Sequence, residues 1–360
     1  MSKLFINIGS LSAGGAERVV SILSNSFAER FEDVEIILWH HLPVHYGIDK
    51  RVKIKFLSEI SGTENRILNC LYFRSYIKQQ NPDLLLSFLT PFNMLAILSL
   101  FGCNIRTIVC ERNDPHFIKG GKFMEFIRNY LYRFADGALV QTKYGKSCYP
   151  INIQNKMKVI YNPVDMPEEL IGRAIDETKA NLFVSVGRLE PQKNHKMLIS
   201  AFAKFCKLHK DYMLEIYGDG SMRDDLELYI NNLGLKDKVK LPGSCKDIWQ
   251  KLLPAKAFLL SSDAEGMSNA LIEAMCLGLP VVSTKVSGST DLIQHERNGL
   301  LINLGDTDGM YKAMCDIVDN NEKSLYMSKK ASDLYKVLNE NVISKQWIDY
   351  LRTFIKTNNN

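Results

Sequence analysis

No run of eighteen or more apolar residues occurs in this 360-residue chain, so no stretch reads as a transmembrane helix. No Cys-x-x-Cys pair occurs either. Cys70, Cys103, Cys110, Cys148, Cys206, Cys245, Cys276 and Cys315 are scattered, mostly among apolar neighbours. That pattern argues against a disulfide framework or a zinc site, and reduced thiols in a cytosolic protein are the expectation. Histidine is sparse, and the pair His41 and His45 has Pro43 between them, which denies it a shared helix face. A Gly-x-Gly-x-x-Gly fingerprint is also missing. "GSLSAGG" spaces Gly9 from Gly14 and Gly15 in another order, so a dinucleotide-binding reading fails. The start "MSKLFINIGSLSAGG" has too short an apolar run for a secretory leader and leads into a polar helix; it reads as a buried first strand.

What the chain does have is an ordinary globular composition: 46% hydrophobic and 24% charged residues, with a net charge of +5. Its length suits two domains, each able to bury a core. Residues 1–165 hold 20 Lys and Arg against 14 Asp and Glu, a net of +6, which leaves −1 for the remainder. A mildly basic front half suits an anionic partner or an anionic membrane surface, and equally a plain solvated face. No nucleic-acid partner is expected.

Short apolar runs without polar alternation recur along both halves. "KLFINIG", "VEIILWH", "LLLSFL", "RTIVCE", "GALVQT" and "MKVIYNPVD" fill the first. "LFVSVGRL", "YMLEIYGDG", "VKLPG", "AFLLSS" and "PVVST" fill the second, after a polar stretch at 166–180. Runs of this kind come from parallel sheets covered on both faces. The expectation is α/β, with two doubly wound, Rossmann-like domains: an N-terminal domain over 1–165 and a C-terminal domain over 166–340. A last helix over 341–360 carries Trp347, Leu351 and Phe354 at helical spacing and is expected to pack back toward the first domain. Ligands of such sheets sit at the carboxyl ends of the strands, here in a central cleft that the two domains face.

Four stretches carry chemistry. In "GSLSAGGAERVV", Gly14 and Gly15 let backbone approach a ligand, and the helix that follows offers its start to an anion; a plain strand–helix turn explains them too. In "VGRLEPQKN", Arg188 and Lys193 flank a turn at a strand's carboxyl end. They could neutralise a diphosphate without a metal, or stand as solvated loop cations. "IYGDG" is read as a tight strand–helix turn of Gly218 and Gly220 with Asp219 between them, mostly structural, with a backbone contact to a ligand as the alternative. "SSDAEGMSNALIEAMCLGLP" places Glu265 before a helix and Glu273 about one turn inside it, with Ser268 or Asn269 as the N-cap. A carboxylate on each side of a helix start suits a ligand with hydroxyls at both ends and phosphates between them, although Glu273 could simply face solvent. "DTD" at Asp306–Asp308 looks like a metal-binding Asp-x-Asp but reads as a helix N-cap. No metal and no cofactor are expected.

In this order the stretches resemble the retaining glycosyltransferases of GT-B fold, family 4, over nearly the whole chain. "GGAER" is similar to that family's first Gly-rich loop and "NPVD" at 162–165 to its domain-linking turn. "VGRL…QKN" and Glu265-x7-Glu273 are similar to its donor-site signatures. The resemblance implies a UDP-sugar donor and a hexose or N-acetylhexosamine transferred to a growing bacterial glycan in alpha linkage. The acceptor implied is a lipid-linked oligosaccharide, O-antigen, lipopolysaccharide or capsule precursor. It also implies that Arg188 and Lys193 hold the diphosphate and that Glu273 binds the ribose hydroxyls. Glu265 contacts the transferred sugar, with Gly266, Met267, Ser268 and Asn269 near sugar and phosphates. Gly243 and Ser244 of "LPGSCKD" pack near the base, and Gly15 approaches the diphosphate from the first domain beside Gly14. Catalysis is assigned to Glu265, Arg188 and Lys193, with retention by front-face attack within an ion pair.

One stretch departs from the family. "CERNDPHF" puts Arg112 where relatives carry a sugar-contacting histidine, as in a bacterial subset that builds surface polysaccharides. Glu111, Arg112, Asn113 and Asp114 are therefore the expected lining of the sugar and acceptor cleft. The basic, aromatic stretch "FMEFIRNYLYRFAD" could lie on an anionic membrane or simply pack on the core. A cytoplasmic protein, peripheral at the inner face of the membrane, is the expectation. Competing readings are a sugar-nucleotide epimerase or phosphorylase on the same fold, and a non-catalytic nucleotide-sugar-binding protein.

Overall fold

The apolar runs become parallel strands because each can bury both faces between helices. The structure, a computed structural model, describes residues 2–355 except 63, 64, 117, 119 and 177. The chain divides into two units, residues 1–165 with 338–360, and residues 166–337.

Unit 1 is a seven-stranded parallel sheet. Its strands are β1 (Lys3–Ile8), β2 (Asp33–Leu38), β3 (Lys53–Phe56), β4 (Leu84–Phe88), β5 (Thr107–Glu111), β6 (Gly137–Val140) and β7 (Met157–Val159), in the order β3-β2-β1-β4-β5-β6-β7. The central strands β4 and β5 are buried at every residue, as covered parallel strands must be. β3 was not anticipated. "KIKF" alternates exposed and half-buried positions because it is an edge strand, and the charged residues on it blunt the free edge.

The closing helix Glu340–Arg352 belongs to unit 1. Its Trp347 is fully buried and stacks on Phe88, with ring centroids 5.9 Å apart, while Phe27 lies 6.4 Å away. Polar ties fix the same helix. Glu340 N donates to Val164 O at 3.1 Å, Ser26 Oγ to Glu340 Oε1 at 2.8 Å, and Tyr350 OH to Ala138 O at 3.2 Å.

Unit 2 is a six-stranded parallel sheet of β8 (Leu182–Val186), β9 (Met213–Tyr217), β10 (Val239–Gly243), β11 (Ala257–Leu260), β12 (Val281–Thr284) and β13 (Leu300–Ile302). Its order is β10-β9-β8-β11-β12-β13. β13 escaped the sequence reading because three residues are too few to show a period. Phe183, Phe202, Phe205 and Tyr212 pack into one aromatic cluster under β8, with Phe183 and Phe205 centroids 5.2 Å apart. Strand order reverses between β8 and β11, and a crevice opens at the carboxyl ends of such a pair. All eight cysteines are free. Among the described residues no helix is long and apolar enough to cross a membrane.

Candidate active site

Unit 2 gathers its chemistry at that reversal. β8 ends at Val186, and the chain turns through Gly187 and Arg188 into a single 3-10 turn, Pro191–Lys193, before the helix His195–Phe205. Asn194 sits in the left-handed region at φ 45°, and its side chain caps that helix by accepting from Met197 N at 3.3 Å. β11 ends at Leu260, and residues 261–268 lead into the helix Asn269–Cys276. Because β8 and β11 pair in parallel, both loops leave the sheet side by side.

The two loops are stitched together. Ser261 Oγ donates to Lys193 O at 2.8 Å, Asp263 N to Gln192 O at 2.8 Å, and Asn194 Nδ2 to Asp263 Oδ1 at 3.0 Å. The result is a direct ion pair between Lys193 and Glu265, 72 residues apart in sequence. Their side chains are only 10% and 16% exposed, so the pair is shielded from solvent screening. Ser262 Oγ adds a donor to the same Glu265 oxygen at 3.3 Å. Gly187 makes room for the lysine stem, since a Cβ there would lie 3.3 Å from Lys193 Cε.

Arg188 is exposed, and its backbone is held from behind. The buried His195 imidazole places Nε2 3.2 Å from Arg188 O. Burial, with the nearby Lys193 charge in support, pushes the His195 pKa down to about 4, so the ring is neutral at pH 7.

Of the two capping candidates, Ser268 is the cap: its Oγ accepts from Leu271 N at 3.3 Å. Gly266, Met267 and Ser268 are buried, while Asn269 is half-buried at the first helical position. The loop is tight because Gly288 backs it; a Cβ there would meet Gly266 O at 2.3 Å. Glu273 is 3% exposed, within the first turns of this helix, so it does not face solvent.

A second knot lies one strand further out, at the ends of β9 and β10, and sequence reading passed it over as a turn. Asp219 accepts from Ser244 N and Ser244 Oγ, both at 2.9 Å, and from Arg223 Nη2 at 2.6 Å. Arg223 also donates to Leu241 O at 3.0 Å and Gly218 O at 3.2 Å. The knot fixes Gly243 and Ser244 where the β9–β10 ladder shifts register. Gly218 is obligatory at φ 139°, where a Cβ would stand 2.1 Å from Gly187 O. The acid between two glycines at a strand end was the available signal. Arg223 and Ser244 hold the Asp219 carboxyl below its usual range.

Asp306 caps the helix Thr307–Asp319 through Gly309 N at 2.8 Å, and Asp308 pairs with Lys204 at 2.6 Å. No group of three or more metal-ligating side chains occurs among the described residues.

In unit 1, Gly14 is extended and Gly15 opens the helix Gly15–Phe27. A Cβ at Gly14 would fall 2.1 Å from Glu17 Oε2, so the glycine lets that carboxylate fold back over the helix start. The end expected to meet an anion thus already carries a negative group. Glu111 lies inside unit 1, with Thr90 Oγ1 at 2.8 Å, Asn93 Nδ2 at 3.0 Å and the Tyr132 hydroxyl all donating to it. Burial raises its pKa. Both its oxygens are engaged in the interior, so none is left for the cleft contact expected of it. Arg112 is also buried, Asn113 is exposed, and Asp114 is half-buried and accepts from His116 N at 2.9 Å.

Two parallel α/β sheets, of seven and six strands, are the arrangement of the GT-B fold. Anabaena HepE, solved in complex with UDP and glucose, shares the fold: TM-score 0.82 at 19% identity, over 98% of this chain and 100% of that one.

Residues 168–334, nearly all of unit 2, match the family described as glycosyl transferases group 1, and the chain is a glycosyltransferase. Two Campylobacter jejuni enzymes are similar over nearly their full length. One, at 27% identity over 97% of this chain and 98% of its own, is GalNAc-alpha-(1->4)-GalNAc-alpha-(1->3)-diNAcBac-PP-undecaprenol alpha-1,4-N-acetyl-D-galactosaminyltransferase. The other, at 29% over 98% of this chain and 100% of its own, is N-acetylgalactosamine-N,N'-diacetylbacillosaminyl-diphospho-undecaprenol 4-alpha-N-acetylgalactosaminyltransferase.

Proposed function

We propose that the chain is a retaining glycosyltransferase. It moves a hexose or N-acetylhexosamine from a UDP-sugar to a lipid-linked bacterial glycan, forming an alpha linkage without a metal ion. The observation that carries the reading is the shielded Lys193–Glu265 pair at the strand reversal of unit 2. Support for the acceptor class comes from the two relatives, both named for undecaprenol-linked substrates. Support for the donor comes from HepE, solved with UDP. With such an acceptor, the enzyme would work peripherally at the cytosolic face of a membrane.

The chemistry follows from charge. Breaking the bond between the anomeric carbon and the diphosphate oxygen builds positive charge on the sugar and negative charge on the leaving group. Arg188 and Lys193 take the negative charge, together with the start of the helix Asn269–Cys276. An ammonium has three N–H donors, so Lys193 can keep Glu265 and still donate to a phosphate oxygen. Glu265 sits against that cation as a sugar-hydroxyl acceptor and orients the ring. The acceptor hydroxyl attacks from the face the diphosphate leaves, and its proton passes to a departing phosphate oxygen. Glu273 clamps the ribose, and the Asp219 knot holds the Gly243–Ser244 loop at the base.

A donor panel on purified protein tests this by reading release of nucleoside diphosphate. One UDP-sugar is expected to be hydrolysed slowly, with the rate unchanged by EDTA. Turnover of no UDP-sugar, or strict metal dependence, contradicts the reading.

A further inference from the structure

Arg112 directly follows β5 and is 6% exposed. Its Nε, Nη1 and Nη2 are all buried, and none has a hydrogen-bond partner among the described residues. The guanidinium carbon lies 5.5 Å from the centroid of the Trp347 ring. Trp347 Nε1 is likewise buried without a partner, and so is Ser344 Oγ, one turn earlier on the same helix. All three side chains can donate hydrogen bonds.

Among the described residues no carboxylate answers this cation. Glu111, next in sequence, has both oxygens engaged with Thr90, Asn93 and Tyr132. The Cys110 thiol is pushed up to about 12 by burial and stays uncharged. Glu340, on the Trp347 helix, is bonded to Ser26. Burial acts on Arg112 in the opposite sense to a partner and lowers its pKa. A buried charge left unpaired is among the most costly features a fold can keep.

We propose that unit 1 binds an oxyanion, a phosphate or a carboxylate, on the Arg112 guanidinium, with the Trp347 indole beside it. The planar fork of N–H groups matches either oxyanion in bidentate fashion, and the indole N–H is a further donor at hand. The nitrogens are covered in the free chain, so the ligand must displace neighbouring atoms, and association is expected to be slower than a surface encounter. The site stands on unit 1 alone. Only the source of the oxyanion leans on the function proposed above: it would be the acceptor's own group, either the diphosphate of a lipid carrier or the carboxylate of an acidic sugar.

The test uses the full chain carrying Arg188→Gln and Lys193→Gln, which removes the cations of unit 2. Inorganic pyrophosphate and glucuronate are titrated separately at constant ionic strength, following Tm and tryptophan fluorescence. One of the two is expected to raise Tm and perturb the fluorescence. Adding Arg112→Gln is expected to weaken that binding about tenfold or more. A pyrophosphate response assigns the diphosphate source; a glucuronate response assigns the carboxylate. If Arg112→Gln does not fold, Trp347→Phe decides in its place, since it removes one donor and keeps the ring; weaker binding supports the site. No response to either probe overturns the proposal, as does an equal response in the folded Arg112 or Trp347 variant. The same variants leave the donor reading separately measurable, because that reading predicts loss of donor turnover from Arg188→Gln and Lys193→Gln alone.

Discussion

Each unit carries a buried cation just beyond one of its parallel strands, and the two are treated differently. Lys193 follows β8 and meets Glu265. Arg112 follows β5 and meets an indole face and, among the described residues, no acid. The paired cation belongs to a site whose geometry is set before any ligand arrives, since five loop residues are bonded across β8 and β11. The unpaired one belongs to a site whose electrostatics close only with a ligand. Burial alone therefore does not say how a cation is used; what answers its charge separates the two cases.

One substitution at both positions exposes the contrast with opposite signs. Lys193→Met strands Glu265 in a largely buried loop and is expected to destabilise unit 2 by about 3 kcal/mol. Arg112→Met removes an unanswered charge and is expected to stabilise unit 1 by about 2 kcal/mol in anion-free buffer. Chemical denaturation of both variants reads the difference, and equal signs would break the comparison.

His195 sharpens it through pH. Its folded pKa of about 4 lies below the unfolded value near 6.5. Between those values the unfolded chain binds more protons, so its contribution is complete above pH 6.5 and is lost as pH falls toward 4. The loss is on the order of 2–3 kcal/mol. His195→Gln should flatten that part of the stability profile; an unchanged slope would remove the imidazole from the account.

A smaller effect is expected at Asp219. Asp219→Ala frees the Ser244 loop and should raise the donor KM about three- to tenfold with kcat held. An equal fall in kcat would place Asp219 nearer the reacting atoms.

The contrast also marks how far sequence reading reached. Both sheets were legible because β1, β4, β5 and β11 are apolar runs bounded by turn residues. The edges were not: β3 alternates like a surface segment, and β13 is three residues long. Glu265 and Glu273 stood out by spacing, and Arg188 and Lys193 as cations flanking a turn at a strand's carboxyl end. Their arrangement did not, because the Lys193–Glu265 pair depends on β8 lying next to β11, which is a property of strand order. Ser268 rather than Asn269 as the cap is a matter of backbone angles. Arg112 was noticed as a departure from a family pattern. That it is unanswered depends on a helix from the far end of the chain packing onto unit 1.

The central claim is that the Lys193–Glu265 pair is the working centre of sugar transfer. A kinetic double-mutant cycle on the preferred UDP-sugar tests it most directly, with Lys193→Met, Glu265→Gln and the double variant, all checked for folding. Each single change is expected to lower kcat/KM by about 10²–10³, and the double variant to fall little further, because the two residues act as one unit. Full turnover in folded Lys193→Met or Glu265→Gln would contradict it.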